Sequence, residues 1–300
     1  CLAGFTRSTN LPTSANAFQP RNAGGIDGFL AVLSPNGSRL QFSSYLGGSA
    51  GGTWHDSITR FRVDPQDRLV VIGATESPNF PTTANAWRPQ YGGGFEGFLT
   101  IVDPALSGRA QLAYSTLTGM RVHDYLLDFE FAGSALVLVG NCNPGSGWNV
   151  PGTKRSGPVG NTDGVVMKLD PSLPPAQQIL FSHVIGGTGW DHPESVAIEA
   201  GGTIVVAANS VRSSGWPTTP GCYQRTARSR YEFTITRLSR NGLTILQSTY
   251  CGGDSGYHLG GVSADASGAV TVTGTTRTTR HPTTAGCFDP SHNGGWDTIL

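Results

Sequence analysis

Phe80-Pro81-Thr82-Thr83 recurs along the chain in four further versions. These are Leu11-Pro12-Thr13, Val150-Pro151-Gly152-Thr153, Trp216-Pro217-Thr218-Thr219 and His281-Pro282-Thr283-Thr284. Successive prolines are 65 to 70 residues apart, and a second marker keeps nearly the same period. That marker is an acid in front of an apolar run, found at Asp27, Glu96, Asp163, Glu232 and Asp297. Two markers with one period indicate a chain built from a single repeated supersecondary unit.

Each repeat contains short runs of β-forming residues separated by Gly, Pro, Asn and Asp, which is typical of antiparallel strands. In the second repeat these runs are Ser57–Val63, Leu69–Ala74, Gly97–Val102 and Gln111–Leu117. No segment has a sustained apolar period of 3.6 residues, so helices are not expected. We therefore predict an all-β fold, a β-propeller of four-stranded antiparallel blades.

The predicted domain covers residues 1–300 and holds about 4.5 repeats. A partial blade covers residues 1–48, three blades cover about 55–119, 123–187 and 192–253, and a second partial blade covers 258–300. The two partial blades both contain the second and third strands, so they do not merge into one complete blade. We expect either a longer polypeptide that continues the propeller or neighbouring chains that cover the open strand edges by self-assembly.

A loop of about 20 residues, 75–94 in the second repeat, separates the second and third strands and carries the Pro-Thr-Thr motif. An aromatic residue follows the motif in four of the five repeats, at Phe18, Trp87, Tyr223 and Phe288. A ligand site rarely needs a copy in every repeat, whereas a packing element does. We expect these loops to fold back over blade edges or to seal adjacent blades.

Several of these strings together resemble the bacterial β-propeller repeat family called SBBP. They are Phe-Pro-Thr-Thr, Asp-Gly-Phe, Ser-Tyr-Leu-Gly-Gly and Val-Thr-Gly-Thr, spread over Leu11–Gly48, Phe80–Gly119 and Thr249–Thr284. The third repeat departs from the pattern at Trp148–Gly160. The resemblance implies a propeller in secreted or cell-surface bacterial proteins, and it implies no catalytic residues because the family is defined by its scaffold.

Charge and composition exclude some classes of function. The chain has 20 basic and 20 acidic residues and a formal net charge of zero, which disfavours nucleic-acid binding. No apolar run approaches the roughly 20 residues of a membrane helix, so no membrane span is predicted. Five cysteines lack a Cys-x-x-Cys pair, and an exported protein permits a disulfide that involves Cys142 or Cys251, with connectivity undetermined.

Four histidines occupy equivalent places just before or at the first strand of successive blades, and three aspartates accompany them. They are His55, Asp56, His123, Asp124, Asp191, His192 and His258. On a propeller this corner lies near the mouth of the central channel, where such side chains form a candidate ring for a metal or an anionic ligand. The structural alternative is that they hydrogen bond to neighbouring strands and tie each blade together.

The repeated acids Asp27, Glu96, Asp163, Glu232 and Asp297 suit a calcium ion as carboxylate ligands. The alternative is that each acid accepts backbone N–H groups of the loop before its strand. We predict no other cofactor. Exposed tryptophans are expected to stack on sugar rings or fill interface pockets, and these are Trp148, Trp190, Trp216 and Trp296, with Trp54 as a further aromatic contact.

The favoured function is a non-enzymatic extracellular scaffold or adhesin-like module that binds a protein or polysaccharide partner. One alternative is a polysaccharide lyase or hydrolase whose acid–base residues are His55, His123, His192 and Asp191. Another is a calcium-stabilised subunit of an assembly.

Overall fold

A computed structural model of the chain describes residues 1–49, 56–119, 124–143, 148, 150–252 and 257–300. These residues form nineteen β-strands in five sheets, with short 3₁₀ turns at Gly108–Gln111 and Pro175–Gln177. In the described part of the chain, no helix has the length and apolar character needed to span a membrane. The all-β prediction is confirmed.

Sheet 1 consists of β1 (Leu2–Thr6), β2 (Asp27–Leu33) and β3 (Leu40–Leu46). Sheet 2 consists of β4 (Ser57–Val63), β5 (Leu69–Thr75), β6 (Glu96–Val102) and β7 (Leu112–Leu117). Sheet 3 consists of β8 (Tyr125–Ala132), β9 (Ala135–Cys142), β10 (Lys154–Ser156), β11 (Asp163–Leu169) and β12 (Ile179–Ile185). Sheet 4 consists of β13 (Trp190–Ile198), β14 (Ile204–Val211), β15 (Tyr231–Leu238) and β16 (Ile245–Cys251). Sheet 5 consists of β17 (Tyr257–Ala264), β18 (Val270–Thr276) and β19 (Asp297–Ile299).

Within each sheet the strands follow one another in chain order and pair antiparallel, except around β10. The sequence predicts all of these strands except β10. This strand lies in the loop where the third repeat departs from the others, and it pairs parallel with β12, from Lys154 opposite His183 to Ser156 opposite Ile185. The divergent loop thus covers the outer edge of sheet 3 with a strand of its own.

Two compact units divide the described residues. Unit 1 contains Cys1–Leu126 and Pro171–Gln178, and unit 2 contains Leu127–Asp170 and Ile179–Leu300. The core of unit 1 is a cluster of aliphatic and aromatic side chains from sheets 1 and 2, including Leu30, Phe42, Ile58, Val71, Phe80 and Phe98. A corresponding cluster in unit 2 joins sheets 3 and 4 and includes Val139, Val166, Ile185, Val206, Trp216 and Tyr250.

The long loops run along the outermost strand of their own sheet. In sheet 2 the Thr83 N–H donates to the Ser115 carbonyl at 3.0 Å, and the Leu117 N–H donates to the Arg88 carbonyl at 3.0 Å. Equivalent bonds join Ser14 to Ser43 in sheet 1 and Thr219 to Ser248 in sheet 4. The prediction that these loops cover sheet edges is confirmed, because an edge strand needs partners for its outward N–H and C=O groups.

The hairpins between the last two strands of a sheet contact the long loop of the preceding repeat. In unit 1, the Asn16 side chain donates to the Leu106 carbonyl at 3.0 Å. Also in unit 1, the buried Gln178 amide donates to the Asn85 carbonyl at 2.9 Å. In unit 2 the corresponding hairpin contacts the outer strand β12 instead, where a ring nitrogen of His183 lies 2.7 Å from the Gly242 carbonyl oxygen. The loops therefore help to seal adjacent repeats, as predicted.

Candidate functional site

The predicted channel-mouth residues lie at corners where one sheet leads into the next, and in the described residues three of these corners each bring two acids together. Asp27 at the start of β2 interacts electrostatically with Asp56, just before β4. Glu96 interacts electrostatically with Asp124 in the same way, and Asp163 does so with Asp191. All six carboxyl groups are buried.

Hydroxyl and backbone groups surround the second acid of the pair. The Asp56 carboxylate accepts from the Gly48 N–H at 2.5 Å and the Ser77 hydroxyl at 2.8 Å, and also from the Thr75 hydroxyl. In unit 2 the Asp191 carboxylate accepts the same kinds of bond, from the Gly187 N–H, the Ser210 hydroxyl and the Ser213 hydroxyl, at 2.7 to 2.9 Å. These aspartates are therefore engaged in tying strands together.

The first acid of each pair accepts backbone N–H groups from the end of the long loop. The donors are Ala23 to Asp27, Gly92 to Glu96, Gly160 to Asp163, Ser229 to Glu232 and Asn293 to Asp297, at distances of 2.6 to 3.1 Å. The expectation that these acids hold the preceding loop is confirmed at all five positions. Within the described residues, no three His, Cys, Asp or Glu side chains come together as a metal site.

Burial shifts the ionisation of these acids. It raises the pKa of Asp27 to about 6, against smaller lowering effects from the Ala23 N–H and the Gln19 amide. Burial likewise raises the pKa of Glu96 and that of Asp163 to about 6. Among the described residues, one oxygen of Asp27 and one of Glu96 have no hydrogen-bond partner. An unpartnered buried oxygen is the natural place for a proton, because a neutral carboxyl costs less to bury than a carboxylate.

The histidines of the predicted ring are placed differently from one another. His55 and His123 lie outside the described residues, as does Trp54. His192 is half-buried on β13, and burial lowers its pKa. His258 is exposed on β17, and its ring lies 4.8 Å from the ring of Trp296. In the described chain the ring is thus reduced to two histidines, since the aspartates are buried in their corners.

The prediction that Trp148 and Trp216 are exposed is wrong. Their exposed fractions are 4% and 3%, because the long loops turn both rings inward against the outer strand of the sheet. The Trp148 indole N–H donates to the Ser182 hydroxyl at 3.0 Å, and the Trp216 indole N–H donates to the Ser248 hydroxyl at 3.0 Å. An aromatic residue at this place in the loop, before the motif proline, is a core residue of the sheet edge, as Phe80 is in the second repeat.

Trp190 and Trp296 are the most exposed tryptophans among the described residues, with exposed fractions of 38% and 41%, whereas Trp87 is half-buried. Each lies under an arginine. The guanidinium carbon of Arg212 is 6.0 Å from the centre of the Trp190 ring, and that of Arg277 is 4.5 Å from the centre of the Trp296 ring. Both pairs lie at the same end of their sheets, where the first strand begins. The exposed rings can stack on planar or apolar faces, and the guanidinium groups can bind anions.

Sheets 4 and 5 pack in register within unit 2. The Leu259 N–H donates to the Asn209 side chain at 3.1 Å, and the Val262 N–H donates to the Ser195 hydroxyl at 3.2 Å. Their first strands therefore run side by side in the same direction, which brings the two arginine–tryptophan pairs to one end of adjacent sheets. Sequence reasoning named the tryptophans but missed Arg212 and Arg277.

The five cysteines all lie in described residues, and no disulfide joins them. Cys142 is buried on β9, and burial raises the pKa of the Cys251 thiol. The disulfide that export would permit is not present in this structure.

No family model and no curated protein matches the sequence. Among solved structures, the chain is similar to the structure of the Dos1 propeller, with a TM-score of 0.38 and 12% sequence identity. The similarity covers 84% of this chain and 51% of that protein, so the chain spans about half of its length.

Proposed function

We propose that this chain is a non-enzymatic scaffold whose exposed aromatic residues bind a polysaccharide outside the cell. The observation that carries the proposal is the pair of accessible tryptophans, Trp190 and Trp296, each beneath an arginine at the same end of adjacent sheets. Exposed indole rings stack on the apolar face of sugars, and an arginine above the ring holds the ring in place.

We propose further that the sheets are blades of a β-propeller. The support is the repeat of 65 to 70 residues, the antiparallel order of four strands in sheets 2 and 4, and the face-to-face packing of consecutive sheets within a unit. Within unit 2 this arrangement places the starts of the first strands of sheets 4 and 5 at the same end, which makes that end of the two sheets a continuous binding surface.

Sheet 5 has three strands among the described residues, whereas sheets 2 and 4 have four. Its loop carries the Pro282-Thr283-Thr284 motif, which in sheets 1, 2 and 4 bonds to the outermost strand. In the described residues the outer edge of β19 has no strand beside it. The exposed side chain of Phe288 lies along the same open edge.

A glycan array probed with the 300-residue chain tests the main proposal. We expect a binding signal that falls at least about tenfold in Trp190→Ala and in Trp296→Ala, since aromatic anchors dominate such contacts. Tyr223→Ala is the matched control, because Tyr223 is an exposed aromatic residue that belongs to the long loop along β16 and not to either arginine–tryptophan pair. Unaltered unfolding midpoints show that the variants remain folded. Absence of any glycan signal, or equal signals from all variants, overturns the proposal.

A further inference from the structure

A pocket of about 480 Å³ opens beside Trp190 at the same end of sheet 4. Its lining residues are Arg212, Ser213, Ser214, Ala227, Ser229 and Arg230. Arg212 directly follows β14 and Arg230 directly precedes β15, so the ends of two paired strands bring the arginines together. The Arg212 N–H donates to the Arg230 carbonyl at 2.6 Å, which holds the two backbones side by side.

The backbone of Arg212 is held in an unusual conformation. Its φ is +47°, in the left-handed region that side chains other than glycine rarely occupy. Gly189 packs so closely against it that a Cβ on Gly189 would lie 2.5 Å from the Arg212 carbonyl oxygen. Such a conformation persists where its surroundings determine it and is concentrated at binding sites. Here the backbone conformation of Arg212 is held in place at the wall of the pocket that this residue lines.

Among the described residues, neither Glu232 nor Asp191 forms an ion pair with Arg212 or Arg230. Glu232 is buried and accepts from the Ser229 N–H at 2.6 Å and from the Gln224 amide at 2.5 Å. Asp191 is buried beneath hydroxyl donors that include Ser213. Arg212 and Arg230 are exposed, so the outward face of the pocket is cationic although the chain as a whole has no net charge.

The repeated fold does not require these arginines. Thr75 pairs with Glu96 in sheet 2 as Ser210 pairs with Glu232 in sheet 4, which aligns the two corners residue by residue. The residue two places after Thr75 is Ser77, where sheet 4 has Arg212, and the residue two places before Glu96 is Gly94, where sheet 4 has Arg230. One corner therefore folds with a serine and a glycine where the other has a pair of arginines.

We infer that this pocket binds the carboxylate or sulfate groups of an acidic polysaccharide, with Trp190 stacking on an adjacent sugar ring. The inference rests on the proposed function and adds the charge class of the ligand. Arginine presents planar, bidentate donors that match carboxylate and sulfate, and the serine hydroxyls Ser214 and Ser229 offer further polar contacts at the pocket wall. A stacked aromatic ring beside an anion site is the combination that a charged sugar needs.

The test measures dissociation constants of the 300-residue chain for polygalacturonate, dextran sulfate and neutral dextran. We expect the two anionic polymers to bind more tightly than dextran, and Arg212→Asn and Arg230→Gln each to weaken that binding about tenfold. Asn is chosen at position 212 because it tolerates positive φ. The control is Arg240→Gln, which removes the same charge from the hairpin at the opposite end of sheet 4. The dissociation constants for polygalacturonate and for dextran sulfate show whether carboxylate or sulfate is the preferred anion.

The outcomes distinguish the two proposals. Dextran binding that depends on Trp190, together with anionic binding that is unaffected by both arginine variants, overturns the inference and leaves the proposed function standing. Loss of affinity in the Arg240 variant equal to that in the pocket variants overturns the inference too, because binding would then follow net charge. Equal, Arg212-dependent affinity for duplex DNA or for phosphatidylserine vesicles overturns the assignment to a polysaccharide. No binding to any polysaccharide overturns both.

Discussion

Neutralising Asp27 should change the pH dependence of stability in a defined direction. Its pKa is raised from 3.8 to about 6, chiefly by burial, so the folded chain holds this proton more tightly than the unfolded chain. The stabilising contribution of the neutral carboxyl is complete below pH 4 and is lost as the pH rises through 6. The ionised Asp27 side chain therefore lowers the free energy of unfolding at neutral pH, compared with its value at pH 4.

The size of the effect follows from the shift. One pKa unit corresponds to about 1.4 kcal/mol, so the contribution of Asp27 falls by about 2 kcal/mol between pH 4 and pH 7. Asp27→Asn resembles the protonated acid and keeps an acceptor for the Ala23 N–H. We expect the free energy of unfolding of this variant, relative to the unsubstituted chain, to rise by about 2 kcal/mol over the same interval.

Urea unfolding followed by tryptophan fluorescence at several pH values measures the difference in free energy of unfolding between the variant and the unsubstituted chain. Groups that titrate alike in both chains cancel in this difference. Asp265→Asn is the control, because Asp265 is fully exposed in a turn and its pKa is lowered, first by the Ser267 hydroxyl. Its difference curve should stay flat down to about pH 4 and change only below that, with the opposite sign. A flat curve for Asp27→Asn between pH 4 and 7 would refute the assignment of a raised pKa to this buried corner.

Two further substitutions test the packing of the repeat. Gly47→Ala should destabilise the chain by about 1 to 3 kcal/mol in urea unfolding, because its Cβ would lie 2.6 Å from a carboxylate oxygen of Asp56. Gly201→Ala, where a Cβ meets nothing within 4 Å, should leave the unfolding midpoint unchanged, and equal effects would contradict the steric reasoning. Trp216→Phe should cost about 1 to 3 kcal/mol because it leaves the Ser248 hydroxyl without its indole donor, and thermal unfolding should show a lower Tm. Trp190→Phe is its exposed counterpart, and a comparable fall in Tm there would argue against the buried bond as the cause.

The strands were predictable because the same pattern of β-forming runs and turn residues recurs in the repeats. Four runs with β composition in the second repeat coincide with β4 to β7 to within a residue at each end. The strand β10 was not predictable, since Lys154–Ser156 has no counterpart in the other loops and pairs with β12 only through tertiary packing. A short segment without a repeated pattern carries too little local preference to specify its pairing.

The corners were predictable in part. Sequence spacing placed acids and histidines at equivalent corners, and the loop-holding role of Asp27 and its counterparts followed from the types of residue present. The spacing of residues in the sequence does not specify which side chains are buried. The prediction of exposed Trp148 and Trp216 therefore fails, because both side chains pack inward. Arg212 and Arg230 are 18 residues apart in sequence, and only the pairing of β14 with β15 brings them together.

A repeat chain separates the residues that build it from those that give one copy a function. The residues that recur here, such as the acids Asp27, Glu96, Asp163 and Glu232 and the glycines opposite them, are buried and engaged at four described corners. A binding residue is under no such requirement, because one copy is enough to hold a ligand. Arg212 and Arg230 meet this criterion, since sheet 2 folds with Ser77 and Gly94 at the corresponding places. Exposed departures from the repeat are therefore the better guide to function in this chain than its most regular motifs.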